Sequence, residues 1–327
     1  MNIHMSDDAI AILLLCSDLT TRNSNIVCKP YTISQWNKLT EKLISKNYSQ
    51  KDLFQVETIA ADLNLENDEI IRIKKLLDLA GNLSIIISQL NSLGISIVTR
   101  ADNLYPKKYK SKLKKLCPPV LYYSGDLSLF NNTNMAIVGS RNIDEKGINF
   151  TREFTTKCCN EKYNIVSGGA KGVDTIAEET ALGNNGNAIV IVADSMQKKI
   201  QDKSIRNGII NGNCLILSAI HPEERFLVYN AMDRNKYIYA ASEYALVVSS
   251  DYQKGGTWAG AIENYKKDWA KILVRKQTDI PFGNQKLLEM DGIIPIEEIQ
   301  YNLSIEQYVN SFKSKFQKEQ ADQMKLF

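Results

Sequence analysis

Two rhythms of apolar and polar residues divide the chain. Up to about Leu90 the apolar residues recur at three- and four-residue spacing, the period of helices with one buried face. Thr32-Ile33-Ser34-Gln35 has the form of a capping box, ahead of a helix with Trp36, Leu39 and Leu43 on its apolar side. Residues 53–63 predict one further helix and 68–79 another, with Asn64-Leu65-Glu66-Asn67 as the turn between them. From Met135 the rhythm changes. Short apolar runs at 135–138, 163–166, 188–193, 214–218, 244–249 and 271–275 alternate with helix-like stretches. Near-continuous apolar strands between helices predict a doubly wound α/β fold, a parallel sheet covered on both faces. Val120-Leu121-Tyr122-Tyr123, after Pro118-Pro119, predicts an additional strand. The expected units are a helical one over 1–90, an α/β one over 91–300, and a helix and tail over 301–327. That last helix has Ile305, Tyr308, Val309 and Phe312 as its apolar positions.

Composition narrows the class without naming a function. The 327 residues are 44% hydrophobic and 24% charged, ordinary values for a globular protein. A net charge of +3 is too small to announce a nucleic-acid binder, so clustering of charge has to carry that argument. The six cysteines form no C-x-x-C, and His4 and His221 lie far apart, so no metal site is expected. The apolar run from Ala9 to Leu15 is too short to span a bilayer, and Asp7 and Asp8 precede it where a signal peptide carries lysines. The expectation is a cytoplasmic protein with reduced thiols, Cys158-Cys159 among them buried on a helix.

The chemistry concentrates at strand ends. Ser167-Gly168-Gly169-Ala170-Lys171-Gly172-Val173-Asp174 sits where a strand turns into a helix. Glycines allow a tight bend and close approach, and the first N–H groups of the helix suit a phosphate, with Lys171 beside them. The spacing matches neither G-x-G-x-x-G nor G-x-x-x-x-G-K-[ST], so neither a dinucleotide cofactor nor a nucleotide-hydrolysing loop is predicted. The strand before it ends in Gly139-Ser140-Arg141. Parallel strand ends share one edge, so Arg141 and Lys171 are expected to converge there. Arg234-Asn235-Lys236 is expected as a further loop at that edge, and Gly255-Gly256-Thr257 as another helix N-terminus. Thr257 and Asp174 also have a plainer reading, as helix caps. A basic stretch over 100–115, with Tyr105 and Tyr109 interleaved among its lysines, reads either as a single-strand nucleic-acid surface or as a solvated helix face.

Taken together, these loops resemble the DNA-processing protein A (DprA/Smf) family. Asp102-Asn103-Leu104-Tyr105-Pro106, Pro118-Pro119-Val120-Leu121-Tyr122 and Gly283-Asn284-Gln285-Lys286-Leu287-Leu288 add to the likeness, which covers about Asp8 to Ile299. The resemblance implies a SAM-like all-helical N-terminal domain and an extended Rossmann-like domain. It also implies cooperative binding of single-stranded DNA, a homodimer, and loading of a RecA-type recombinase onto DNA, without catalysis or cofactor. It aligns Arg141 and Lys171 with the family's phosphate-contacting pair and the glycines around Lys171 with its backbone contacts. With the strand-edge loops included, the residues expected at DNA phosphate are Gly139, Ser140 and Arg141; Ser167, Gly168, Gly169, Lys171 and Gly172; Asn235 and Lys236; and Gly256 and Thr257. The chain departs from the family at Arg234-Asn235-Lys236, where the usual third residue is arginine, at Leu217-Ser218-Ala219, and over 255–261. It leaves no room for a winged helix after Ile299.

Two other readings stay open. The Gly-Gly-Thr loop also resembles the lysine-decarboxylase-like (LOG) fold, whose members bind or cleave nucleotides; Glu263 is then the nearest candidate acid. The ending Gln323-Met324-Lys325-Leu326-Phe327 resembles peptides that dock into the DNA polymerase sliding clamp, with Gln323, Leu326 and Phe327 as the contacts.

Overall fold

A computed structural model describes residues 5–22 and 28–312. The first apolar run is helix α1 (Asp7–Cys16). Ser6 caps it by accepting from the Ala9 N–H at 3.2 Å, and Asp7 and Asp8 occupy its first turn, favourable against the helix dipole. A helix that is apolar all round belongs in an interior, and Ala9, Ala11, Leu14 and Leu15 are fully buried. Helix α2 (Ile33–Ser45) opens on the expected reciprocal box of Thr32 and Gln35 and buries Trp36, Leu39 and Leu43.

The single helix expected over 53–63 is broken. Gln50–Gln55 forms a 3-10 turn, and α3 (Val56–Ile59) adds four α-helical residues. Two causes are visible. Asp52 accepts from the Ser49 N–H at 2.7 Å, which starts the turn early. Leu53, Val56 and Ile59 are spaced by threes, and all three are buried, a spacing that a 3-10 turn eclipses onto one side. After Asn64, in the left-handed region at φ 48°, come α4 (Asn67–Leu77), a 3-10 turn at Asp78–Asn82, and α5 (Leu83–Ser92).

The rest is built on one nine-stranded sheet. Its strands are β1 (Ser96–Thr99), β2 (Val120–Gly125), β3 (Asn134–Gly139), β4 (Asn164–Ser167), β5 (Ala188–Ile191), β6 (Cys214–Ser218), β7 (Tyr244–Ser249), β8 (Lys271–Arg275) and β9 (Ile294–Ile296). The order is β1-β2-β6-β5-β4-β3-β7-β8-β9. From β6 to β9 all neighbours are parallel; β1 and β2 extend the β6 side antiparallel. All the expected strands are present. The short β1 and β9 were not anticipated from the pattern.

The connecting helices are α6 (Lys107–Leu113), α7 (Glu145–Asn160), α8 (Val173–Gly183), α9 (Met196–Gln201), α10 (Lys203–Ile210), α11 (Val228–Ala240), α12 (Gly255–Lys267) and α13 (Phe282–Leu288). One sheet face shares its core with α1 to α5: Trp36, Leu76 and Ile12 cluster with Val190 and Ile216. Residues 305–312 are helical, with Ile305 and Val309 packed beneath β8 and β9 and beside α7. Cys158 and Cys159 are buried on α7, as expected. Among the described residues no helix is long and apolar enough to cross a membrane.

The parallel part has a topological switch at β3. Chain order runs from β3 outward through β4, β5 and β6 on one side, then returns to β7 and β8 on the other. The crevice at the carboxyl ends of β3 and β7 is where such sheets hold ligands.

The basic stretch over 100–115 does not offer its tyrosines to bases. Tyr105 and Tyr109 are 1% and 0% exposed. The Tyr105 hydroxyl donates to the Pro118 carbonyl at 2.6 Å, and the Tyr109 hydroxyl to the Tyr237 carbonyl at 3.1 Å. Lys112 donates to the Ser242 carbonyl at 2.6 Å, and Lys108 pairs with Glu243 at 2.8 Å. The stretch fastens α6 to α11 and to the entry of β7.

Candidate functional site

The glycine loop between β4 and α8 is held by its own chain. Gly172 (φ 82°) is so close to the Ser140 carbonyl that a Cβ there collides with it, which brings the β4–α8 loop onto the end of β3. Gly168 lies against the guanidinium of Arg234, which donates to the Gly168 carbonyl and, at 2.6 Å, to the Ile191 carbonyl. Three of the loop amides are spent internally. The Gly168 and Ala170 N–H groups donate to Asp174 Oδ2 at 3.0 and 3.4 Å, and the Gly169 N–H donates to Glu178 Oε1 at 2.9 Å. Glu178 is 2% exposed, also accepts from the Ser167 hydroxyl, and pairs with Lys199 at 2.9 Å.

This corrects the expectation of a backbone phosphate cradle at Gly168 and Gly169: two carboxylates already fill it. Asp174 is the second residue of α8 and not its cap; it bonds backward to the loop. Burial pushes its carboxyl up to about 6, with Arg234 opposing that and Glu178 adding to it.

The open site lies at the switch. Gly139, Ser140 and Arg141 form one wall of a cleft of about 440 Å³, Gly255, Gly256 and Thr257 another, and Met232, Asn235 and Tyr239 of α11 a third. Helix α12 begins at Gly255 with no side-chain cap. Among the described residues no side chain bonds its first-turn N–H groups, which meet the cleft together with the positive end of its dipole. Thr257 is the third helical residue, not the cap, and it borders the cleft. Asn235 donates to the Gly256 carbonyl at 2.9 Å, which fixes α12 against α11. Arg141 is exposed, its guanidinium 5.2 Å from the centre of the Phe226 ring. Buried Asn284 accepts from the Ser250 N–H at 2.8 Å and donates to the Val248 carbonyl at 3.1 Å, pinning the exit of β7 that leads into the cleft.

Lys171 borders a second cavity, of about 810 Å³, that Gly169 also lines. There Lys171, Lys198, Lys199 and Lys203 face Glu178, Glu179, Asp194 and Asp202, so its charges balance. The β3 and β4 loops touch, and Ala170 borders the cleft while Lys171 borders its neighbour. Arg141 and Lys171 thus lie on adjacent cavities.

Arg234-Asn235-Lys236 is not a loop: all three lie within α11. Helical period sends Asn235 to the cleft, Arg234 beneath the glycine loop and to the edge of the cleft, and Lys236 elsewhere. Lys236 is 7% exposed, pairs with Asp233 and lies 5.0 Å from the Tyr237 ring; it borders neither cavity. Arg234, whose role as a buried tie was not anticipated, was legible only through the helical period of its surroundings. Glu263, the candidate acid of the nucleotide-cleaving reading, borders a third cavity and not the cleft. Gln323, Leu326 and Phe327 lie outside the described residues.

The family model described as DNA recombination-mediator protein A matches residues 96–290, well over half of the chain. The DNA processing protein DprA of Streptococcus pneumoniae is 30% identical over 145 residues, 42% of this chain and 49% of that protein. The DprA of Bacillus subtilis is 27% identical over 164 residues, 50% of this chain and 54% of that protein. The matches span about half the length of these curated relatives. Among solved structures, DprA from Streptococcus pneumoniae superposes with a TM-score of 0.58 at 22% identity, covering 84% of this chain and 98% of that one. DNA processing protein A from Helicobacter pylori, whose structure is described as giving insight into a unique single-stranded DNA binding mode, gives 0.55 at 25% identity, over 68% of this chain and 96% of that one. These likenesses confirm the extended Rossmann-like sheet.

Proposed function

The chain belongs to the DNA recombination-mediator protein A family, and we propose that it is a non-catalytic, single-stranded DNA-binding protein of DNA processing and recombination. The observation that carries this reading is the uncapped N-terminus of α12 facing Arg141 across the switch-point cleft. A guanidinium on one side and bare helix amides on the other suit a phosphodiester, and of the carboxylates that also border the cleft, Asp174 is taken up by the Gly168 and Ala170 N–H groups. The strand backbone passes between Gly139-Ser140-Arg141 and Gly255-Gly256-Thr257 and leaves over Lys171, whose ammonium extends the path onto the adjacent cavity. Ser167, Gly168 and Gly172 shape this path without offering a donor to it, and Lys236 takes no part.

The likeness to a protein described by its single-stranded DNA binding mode supports the ligand. The family description supports a role as a recombination mediator; we extend it to delivery of a RecA-type recombinase to the bound strand by a homodimer, in transformation and DNA uptake. Strand-exchange assays with DNA coated by single-strand-binding protein, and the solution mass, test those finer points. Deleting residues 323–327 and measuring sliding-clamp binding tests the tail.

The test of the reading itself is fluorescence anisotropy with a labelled deoxythymidine oligonucleotide across a salt series. Affinity is expected to fall steeply with salt, and Arg141→Ala to cost about ten-fold, the worth of one charge-assisted phosphate contact. Undiminished binding by Arg141→Ala, or binding indifferent to salt, sinks it.

A further inference from the structure

Beside the cleft is an exposed apolar face, on which the Arg141 guanidinium rests over the Phe226 ring. Phe226, Val228 and Tyr229, at the start of α11, are 46%, 69% and 68% exposed. Phe226 and Val228 border the Arg141 cleft, while Val228, Tyr229 and Met232 border a cavity of about 850 Å³ between α11 and α12. The apolar face therefore runs without a break from the cleft into that cavity. On the α12 side Ala259 and Gly260 leave the cavity wall nearly free of side chains. Besides the Tyr229 hydroxyl, its polar groups are two carboxylates. Asp233 is taken by Lys236, whereas Glu263 has no hydrogen bond or ion pair among the described residues.

We infer that this face and cavity form a nucleobase subsite, selective for bases that carry an exocyclic amino group. The inference rests on the proposed reading of the cleft. A strand whose phosphates lie between Arg141 and the α12 terminus has its bases within reach of Phe226 and Tyr229. Aromatic and apolar side chains flanking a cationic groove are the recipe for stacking unpaired bases. A shallow, largely apolar surface lets a flat ring stack on it, and its one free carboxylate accepts from a donor in the ring plane. Cytosine presents an amino donor to a carboxylate at the position where thymine presents a carbonyl acceptor. The subsite therefore favours cytosine over thymine, and it needs bases that are unpaired.

The test measures affinity for deoxycytidine and deoxythymidine oligonucleotides of equal length, and for an abasic strand of that length, using the full chain. The deoxycytidine strand is expected to bind roughly three- to ten-fold tighter than the deoxythymidine strand. Glu263→Gln, whose amide both donates and accepts, is expected to bring that ratio close to one. Because losing a negative charge strengthens binding to any strand, the ratio and not the affinity is the readout. Tyr229→Ala, checked for an unchanged melting temperature, is expected to weaken both base-bearing strands by about five-fold or more and to spare the abasic one.

Equal affinities for all three strands overturn the inference. So does a Tyr229→Ala protein that changes its solution mass but keeps its base dependence, which assigns the face to a protein contact. If Arg141→Ala still weakens binding while the bases make no difference, only this inference fails. If Arg141→Ala changes nothing, the reading of the cleft fails first.

Discussion

Two turns in this molecule share one pattern and have opposite fates. Ser167–Asp174 and Gly255–Thr257 each carry glycines where a parallel strand gives way to a helix. In the first, the amides of Gly168, Gly169 and Ala170 are bonded to Asp174 and Glu178. In the second, the helix starts uncapped on an open cleft. The difference lies downstream of the glycines. Asp174 and Glu178 fall one turn apart on α8, so both carboxylates face back to the loop they follow. Helix α12 carries Thr257, Trp258 and Ala259 at its start and no carboxylate before Glu263. A glycine turn at a helix N-terminus is an anion site only when the chain has not supplied its own anion.

The comparison breaks most visibly if the internal anion is removed. Glu178→Ala strips Lys199 and the Gly169 N–H of a buried partner and is expected to destabilise the fold by about 3–5 kcal/mol, the usual result of leaving half of a buried pair. Urea unfolding reads this directly. A loss below about 1 kcal/mol, within the range of an ordinary surface change, shows that the carboxylate is not what holds the loop.

A matched pair of glycines sharpens it at a smaller scale. A Cβ at Gly168 lands on the Arg234 guanidinium, which is itself buried and bonded to two carbonyls. Gly168→Ala is expected to cost about 1–3 kcal/mol as Arg234 is pushed off its acceptors. At Gly256 the nearest atom to a new Cβ is Asn235 Nδ2 at 3.4 Å, an ordinary contact. Gly256→Ala is expected to leave stability within about 1 kcal/mol and to act on DNA affinity instead. Equal thermal shifts for the two variants contradict the distinction between a filled and an open turn.

Much of this was legible in the residues, and what was not has physical causes. Core strands from β3 to β8 announced themselves because strands buried on both faces are apolar throughout. β1 and β9, of four and three residues, carry too little pattern to stand out, and each pairs with one neighbour at the sheet margin. Gly139-Ser140-Arg141 and Gly255-Gly256-Thr257 were placed at the correct edge by topology alone. Lys236 was misplaced, and neither reading of the 100–115 stretch foresaw its buried tyrosines, for a common reason. Charge and aromaticity say what a side chain can bind, while burial decides whether it is free to do so, and that depends on distant partners such as Pro118 for Tyr105. The carboxylates at Asp174 and Glu178 were the signal overlooked: their spacing after the glycines was visible in the chain.

The smallest effect gives the most direct test, because it converts one turn into the other. Thr257→Asp places a carboxylate in the first turn of α12, as Asp174 stands in the first turn of α8. An anion near a helix N-terminus is favourable by about 0.3–1 kcal/mol, so the variant is expected to melt slightly higher than the parent. The same carboxylate occupies the charge that a phosphate would meet, so affinity for single-stranded DNA is expected to fall by about ten-fold. Asparagine at 257 separates the two contributions, since it keeps the shape and polarity but not the charge. If Thr257→Asp gains stability and binds as well as the parent, the α12 terminus is not where the strand lies, and Arg141 has to be acting from the other side of its loop. If both quantities move in opposite directions, and Thr257→Asn moves neither as far, then the unfilled turn is the site and its counterpart in the β4–α8 loop is the same device closed by the chain itself.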